Sequence, residues 1–277
     1  MTSAPSVSTA SAGPARQEPD GLEPNGLVRD AMIVYRRQIR MNLRNPAWVL
    51  IGVMQPVLYL VLFGPLLKPL VGSFDLPTDN PYTFLVPGLL VQLGMFGAFF
   101  AGFGLIAEWR EGVVEAERVT PASRTALLVG RLARDLSLLL TQALILVGLG
   151  YWMGMRGDVL GIVAGIVITL AVGGACAAAS NALALTTKSE DVMAPIINMV
   201  MMPVLLLSGI MLPMTLGPAW LESVSDFMPF RWVTDAVRST FLGDFGSSGV
   251  MWGVTWAVAL LALGVWWGTA VFRKENS

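Results

Sequence analysis

Apolar residues run along this chain in six long blocks, and the polar residues gather between them. The blocks extend from about Ala47 to Leu67, Tyr82 to Ala107, Leu132 to Gly154, Val159 to Leu185, Val192 to Leu212 and Val250 to Phe272. A helix needs about 20 mostly apolar residues to cross a bilayer, whereas about 10–14 suit a buried helix of a water-soluble protein. The pattern predicts an all-α integral membrane protein with six transmembrane helices over residues 46–277.

Other segments depart from plain spans. Residues 1–25, rich in Ser, Ala, Pro and Gly, cannot bury a core and predict a disordered tail. No apolar stretch follows a basic start there, so the tail does not read as a signal peptide. Residues 26–45 set Met32, Tyr35, Ile39 and Leu43 on one helical face and Arg36, Arg37, Arg40 and Arg44 on another. Such a two-faced helix lies in the membrane interface with its arginines near anionic headgroups. Asn45-Pro46 ends it.

Between blocks two and three stands a charged island, "EWREGVVEAERVTPASR", residues 108–124. Trp109, Val113 and Ala116 form a helical stripe among its charges, and Thr120-Pro121 stops that helix. A short helix with few apolar anchors among charges suits docking in a groove of a partner; a solvated connecting helix is the other reading. Residues 208–238 are too apolar for a water-exposed loop, yet Pro213, Pro218 and Pro229 interrupt them. Irregular backbone at membrane depth survives only buried in protein or lining a cavity, so short re-entrant or interfacial helices are expected here. Block five holds Pro195 and Pro203 with Met193, Met199, Met201, Met202 and Met211. Prolines bend a spanning helix and methionines fill irregular apolar surfaces.

Composition agrees with the pattern. The chain is 55% hydrophobic and 13% charged, with mean hydropathy +0.65; about a quarter charged is usual for a soluble domain. A net charge of −1 gives no global attraction to nucleic acid. A lone Cys176 and the absence of histidine leave no disulfide framework, no Cys-built or His-built metal site and no Ser-His or Cys-His dyad.

Lysine and arginine positions set the expected orientation. With a cytoplasmic N-terminus, the cytoplasm receives Arg16 to Arg44, Arg110 to Arg134, Lys188, Arg273 and Lys274, against Lys68, Arg156, Arg231 and Arg238 outside. Both termini and the island then face the cytoplasm, and the segment between spans five and six lies outside. Trp48, Trp109, Trp152, Trp252 and Trp267 fall near span ends, where amphipathic rings prefer the interface.

Several chemistries lack their residues. The nearest approach to a phosphate-binding G-x-x-x-x-G-K-[ST] loop is Lys188-Ser189, with Thr187 and Ala182 where glycines are required. Charged residues are confined to span ends and loops, unlike the pathway of an ion-driven carrier. Gln55, Gln92, Gln142, Asn181 and Asn198 suit interhelical hydrogen bonds. A cargo path past Gln55, Tyr59, Gln92, Asn198 and Met202 is the other reading of such positions. Gly150/Gly154 and Gly161/Gly165 have the small-xxx-small spacing of close helix packing.

From about residue 27 to 275 the chain resembles the ABC-2 type transport permeases. Glu108, Gly112, Glu115, Thr120, Pro121 and Arg124 look like the family's E-x3-G…E…TP-x2-R pattern, with Val113 and Val114 departing from the pair usual after the glycine. Ser208, Gly209, Pro213, Pro218, Trp220, Leu221, Pro229, Asp235, Ala236 and Arg238 look like its SG…P…P-x-WL…P…DA-x-R signature. Within the family the likeness leans to daunorubicin-resistance-type drug export permeases.

The resemblance implies a bacterial cell-membrane exporter subunit without its own ATPase site. Two six-span copies would pair as a homodimer, each docked on a separate ABC ATPase subunit that holds ATP and Mg. The island would be the coupling helix in a groove of that ATPase, and Pro213, Trp220, Pro229 and Arg238 would belong to an extracellular lid. The cargo would be hydrophobic or amphipathic, a direction the Met-rich fifth span also favours. An integral membrane enzyme acting on lipid would need clustered carboxylates or a nucleophile at one face, and a secondary transporter would need ionisable groups in its spans.

Overall fold

The computed structural model describes residues 32, 35–36, 47–71, 78–112, 124–211, 214 and 217–274. Among them the chain is helical without strands: α1 (Ala47–Val71), α2 (Pro81–Phe99), α3 (Ala101–Arg110), α4 (Arg124–Trp152), α5 (Val159–Thr187), α6 (Glu190–Leu207), α7 (Ala219–Asp226), α8 (Pro229–Phe241) and α9 (Ser248–Lys274). Six stretches are long and apolar enough to cross a membrane: α1, α2 continued by α3, α4, α5, α6 and α9, spans one to six. The expected tail, residues 1–25, lies outside the described residues. So does most of the interfacial helix; Met32, Tyr35 and Arg36 are helical there.

Local signals set the element ends. Asn80 caps α2, its Oδ1 accepting from the backbone of Tyr82 and Thr83, and Pro81 occupies the first turn, where no backbone donor is needed. Asp158 caps α5 through Gly161 N, and Lys188, left-handed at φ 51, ends it. Glu190 and Asp191 follow in the first turn of α6, at its positive dipole end.

Three boundaries differ from expectation. The second span is broken at Phe100, so its last turns form α3. The third span belongs to a helix that starts at Arg124, which puts Arg131, Arg134 and Asp135 on the spanning helix itself. The fifth span, α6, ends at Leu207 rather than near Leu212, because Ser208 caps it and Gly209 turns left-handed at φ 65.

Spans two and four form the centre, with 65% and 61% of their most apolar stretches buried inside the protein, against 11% for span five. The main core joins Phe84, Leu85, Leu89, Leu90 and Leu93 of span two to Ile162, Ile166 and Val172 of span four, with Leu60, Leu146, Val237 and Phe241. Glycines permit the closest approaches. A side chain at Gly161 would strike the Thr240 carbonyl, and one at Gly165 would meet Phe241, so α8 lies directly on span four. Of the two short helices between spans five and six, α8 is thus built into the bundle: it packs on α2, α5 and α9 and buries Val233, Thr234, Ala236, Val237, Arg238, Thr240 and Phe241.

Candidate functional site

Two ends of the bundle carry polar structure. The island end is where α3 stops, α4 begins and α5 turns into α6; the hairpin end carries α7 and α8.

At the island end, the last turn of α3 is a hub. Glu108 Oε2 lies 2.9 Å from Arg131 Nη2 and its Oε1 accepts from Arg134 Nη1 at 3.2 Å, while Arg134 Nε donates to Asp135 Oδ1 at 2.9 Å. The Arg131 side chain is only 4% exposed, so the carboxylate of Glu108 neutralises a charge that burial would otherwise make costly. On the other side of the same turn, Arg110 Nη1 stands 3.1 Å from Glu190 Oε1, and Lys188 Nζ lies 4.7 Å from the centre of the Trp109 ring. Three consecutive residues therefore join span two to span three and to the turn between spans four and five. Tyr35 adds a further tie to the platform, its hydroxyl 2.9 Å from Ser137 Oγ on α4.

Of the residues matched to the coupling pattern, Glu108 is part of this hub, and Gly112 sits in the turn after α3 at φ 73, a conformation that suits glycine. Arg124 opens α4. Glu115, Thr120 and Pro121 lie outside the described residues, as do Arg37, Arg40 and Arg44; Arg36 is exposed. Sequence reasoning singled out Glu108 without its partners. The signal available was charge of opposite sign, Glu108 at the start of the island and Arg131 and Arg134 after it. Arg110 and Glu190 had no such signal, because their helices are separated by spans three and four.

At the hairpin end the anchor is Arg238. Its Nη2 donates to the Ile210 carbonyl at 2.7 Å, its guanidinium lies 4.1 Å from the centre of the Phe84 ring, and Nη1 is 3.8 Å from Asp235 Oδ1. Burial lowers its pKa to about 10, against the pull of Asp235, which leaves it charged at neutral pH. A side chain at Gly88 would strike the same Ile210 carbonyl, so a glycine on span two makes room for the contact. Arg231 binds the two short helices together: it reaches Glu222 O at 3.1 Å, Ser225 Oγ at 2.6 Å and Asp226. Pro229 begins α8, Trp220 is exposed on α7 and Pro213 lies outside the described residues. Asp158 N donates to Phe241 O, and Thr83 Oγ1 donates to Arg156 O at 2.7 Å, which closes this end of the bundle across spans two and four.

The candidate path residues do not converge within this chain. Gln55 and Tyr59, 3.4 Å apart at Nε2 and the hydroxyl, line a shallow groove of about 300 Å³ on the outer face of α1 with Ile51, Met54 and Leu58. Asn198 bonds back to Ala194 O on its own helix, and Met202 beside it is exposed. Gln92 is buried in span two, with neither amide atom hydrogen-bonded among the described residues. Gln142 does bridge helices, donating to Val49 O of α1 at 3.2 Å.

Comparison with known proteins agrees with this architecture. A protein of Streptomyces coeruleorubidus named as the daunorubicin resistance ABC transporter permease protein DrrB1 is 25% identical over 196 residues, 70% of this chain and 68% of its own length. A protein of Pyropia yezoensis named as the transport permease ycf38 is 24% identical over 245 residues, 87% of this chain and 81% of its own. One of Escherichia coli named as the multidrug ABC transporter permease YbhR is 26% identical over 203 residues, 70% and 55%. Residues 29–242 match the ABC-2 type transporter family, a stretch that runs from before span one to the end of α8, and the chain belongs to that family.

Proposed function

We propose that this membrane transport permease subunit is the spanning half of an ATP-driven exporter that moves a hydrophobic or amphipathic compound out of a bacterial cytoplasm. ATP and Mg are held by a separate ABC ATPase, one copy docked on each of two identical permease chains. The observation that supports this best is the hub at the island end. Residues 111–123 leave from a turn whose neighbours Glu108, Trp109 and Arg110 are tied to α4 and to the α5–α6 turn, so a push on the island reaches several spans together. Glu115, Thr120, Pro121 and Arg124 are the docking residues in this reading. Both termini and the island face the cytoplasm, in line with the distribution of Lys and Arg. The hairpin end faces outside, with α7 and α8 as a re-entrant pair at the exit.

Gln55, Tyr59, Asn198 and Met202 stand on faces of spans one and five that this chain leaves open, which suits a path completed by the second copy. Gln92 is the member of the set nearest the centre of the bundle. Purifying tagged chain from its native membrane in mild detergent tests the reading: an ABC ATPase subunit comes out at near equal stoichiometry and hydrolyses ATP. Replacing Glu115 or Arg124 weakens that co-purification and leaves membrane insertion intact. A chain that emerges without an ATPase in every mild detergent tried defeats the proposal.

A further inference from the structure

Span five differs from the other spans in how it is held. Along α6, Ile196, Met199, Val200, Met202 and Leu206 are exposed. Pro195 and Pro203 each remove a backbone donor from its interior. In mid-helix Met201 is buried in the main core, with Ile197, Val204 and Leu205 packed beside it, and further attachments stand at its two ends. At the island end Met193 is fully buried in a small cluster of its own with Leu105 and Ile106 of α3 and Ala184 and Leu185 of α5. A side chain at Gly102 would strike Met193 and Ser180, so the methionine rests on the first turn of α3. Glu190, three residues earlier, is paired with Arg110 at the other end of α3. At the hairpin end, Arg238 binds the carbonyl of Ile210, just past the end of α6.

The element that holds the inner attachment is the last ten residues of span two, set off by a local interruption of its helical hydrogen bonding at Phe100, where the backbone itself stays α-helical. The helix breaks at Phe100, and Gly102 N donates to Ser180 Oγ at 3.1 Å on span four. α3 is thus a ten-residue segment running directly into the island, jointed at Phe100 and seated against α6 at Gly102 and Arg110.

We infer that span five is the part of this chain that the partner ATPase moves, and that α3 drives it through the Met193 seat and the Arg110–Glu190 pair, with Arg238 and the Ile210 carbonyl as the fixed pivot. The inference rests on the permease reading above and adds the route of the motion. An exposed ion pair holds little by itself; the buried methionine transmits the displacement and the pair fixes its direction. Loosely packed elements are the ones that open first, and span five is the least packed of the six.

The test uses the full chain reconstituted in nanodiscs with its ATPase, carrying Cys176→Ala and a bimane fluorophore on Met199→Cys, which is 81% exposed on α6. ATP with vanadate shifts the bimane emission. Met193→Ala and, separately, Arg110→Glu reduce that shift by about half or more while the ATPase still co-purifies, and Arg110→Glu combined with Glu190→Arg restores it, because residues in contact couple non-additively. The charge swap keeps the inference testable should Met193→Ala fail to assemble. A full shift in both single variants overturns the inference. So does the absence of a shift in the chain with an intact seat when the ATPase co-purifies and hydrolyses ATP. Failure of any ATPase to co-purify overturns the permease reading itself.

Discussion

Glu108 looks like a docking residue in the sequence, and in the structure its carboxylate is also paired within the chain, so the two roles give different outcomes on substitution. Its carboxylate faces Arg131 and Arg134. Glu108→Gln takes the anion away from a buried arginine, a change that costs on the order of 3 kcal/mol. The expected result is a lowered melting temperature in detergent with ATPase co-purification retained, the reverse of the pattern expected for Glu115. Arg238→Met removes the bond to Ile210 and the contact with Phe84; losing a hydrogen bond from a charged group costs about 1.5–3 kcal/mol. Arg238→Lys recovers little of it, since an ammonium cannot lie flat on a ring and reach the carbonyl with a planar fork. Thermal unfolding followed by tryptophan fluorescence measures both.

Among the elements, α8 is the one whose place the sequence least foretold. Proline spacing and apolar content of residues 208–238 announced short helices between spans five and six, but nothing in a single sequence says that Gly161 and Gly165 are opposite Thr240 and Phe241. Those glycines were legible as a close-packing motif, and their partner was not, because spacing along one helix carries no information about the other. Gly161→Val drives a side chain into the backbone of Thr240. Overpacking costs about 1–3 kcal/mol, and the expected sign is faster proteolysis of the segment linking α6 to α7 together with lower thermal stability. The six spans were legible for the opposite reason: length and apolarity are properties of each block alone. The break at Phe100 was not legible because the donor it frees, Gly102 N, is satisfied by Ser180, 78 positions away in the chain, and no proline marks the place.

For the whole molecule, the charge distribution predicts which ends share a compartment. An impermeant maleimide added to intact cells labels Gly246→Cys, between α8 and α9, and leaves Ser277→Cys unlabelled until the membrane is opened; Cys176 is buried and contributes little background. The opposite pattern reverses the orientation and with it the placement of the island.

The position of α8 also bears on how the chain is made. Spans two and four, synthesised early, build a surface whose glycines at positions 88, 161 and 165 wait for groups that come from residues 210 and 237–241. The ribosome delivers those groups only after span five, and α9, which covers the other side of α8, comes last. A nascent chain halted before residue 229 is thus left with an unfilled notch between its two central spans, and membrane quality control has a physical mark by which to tell an unfinished copy from a complete one.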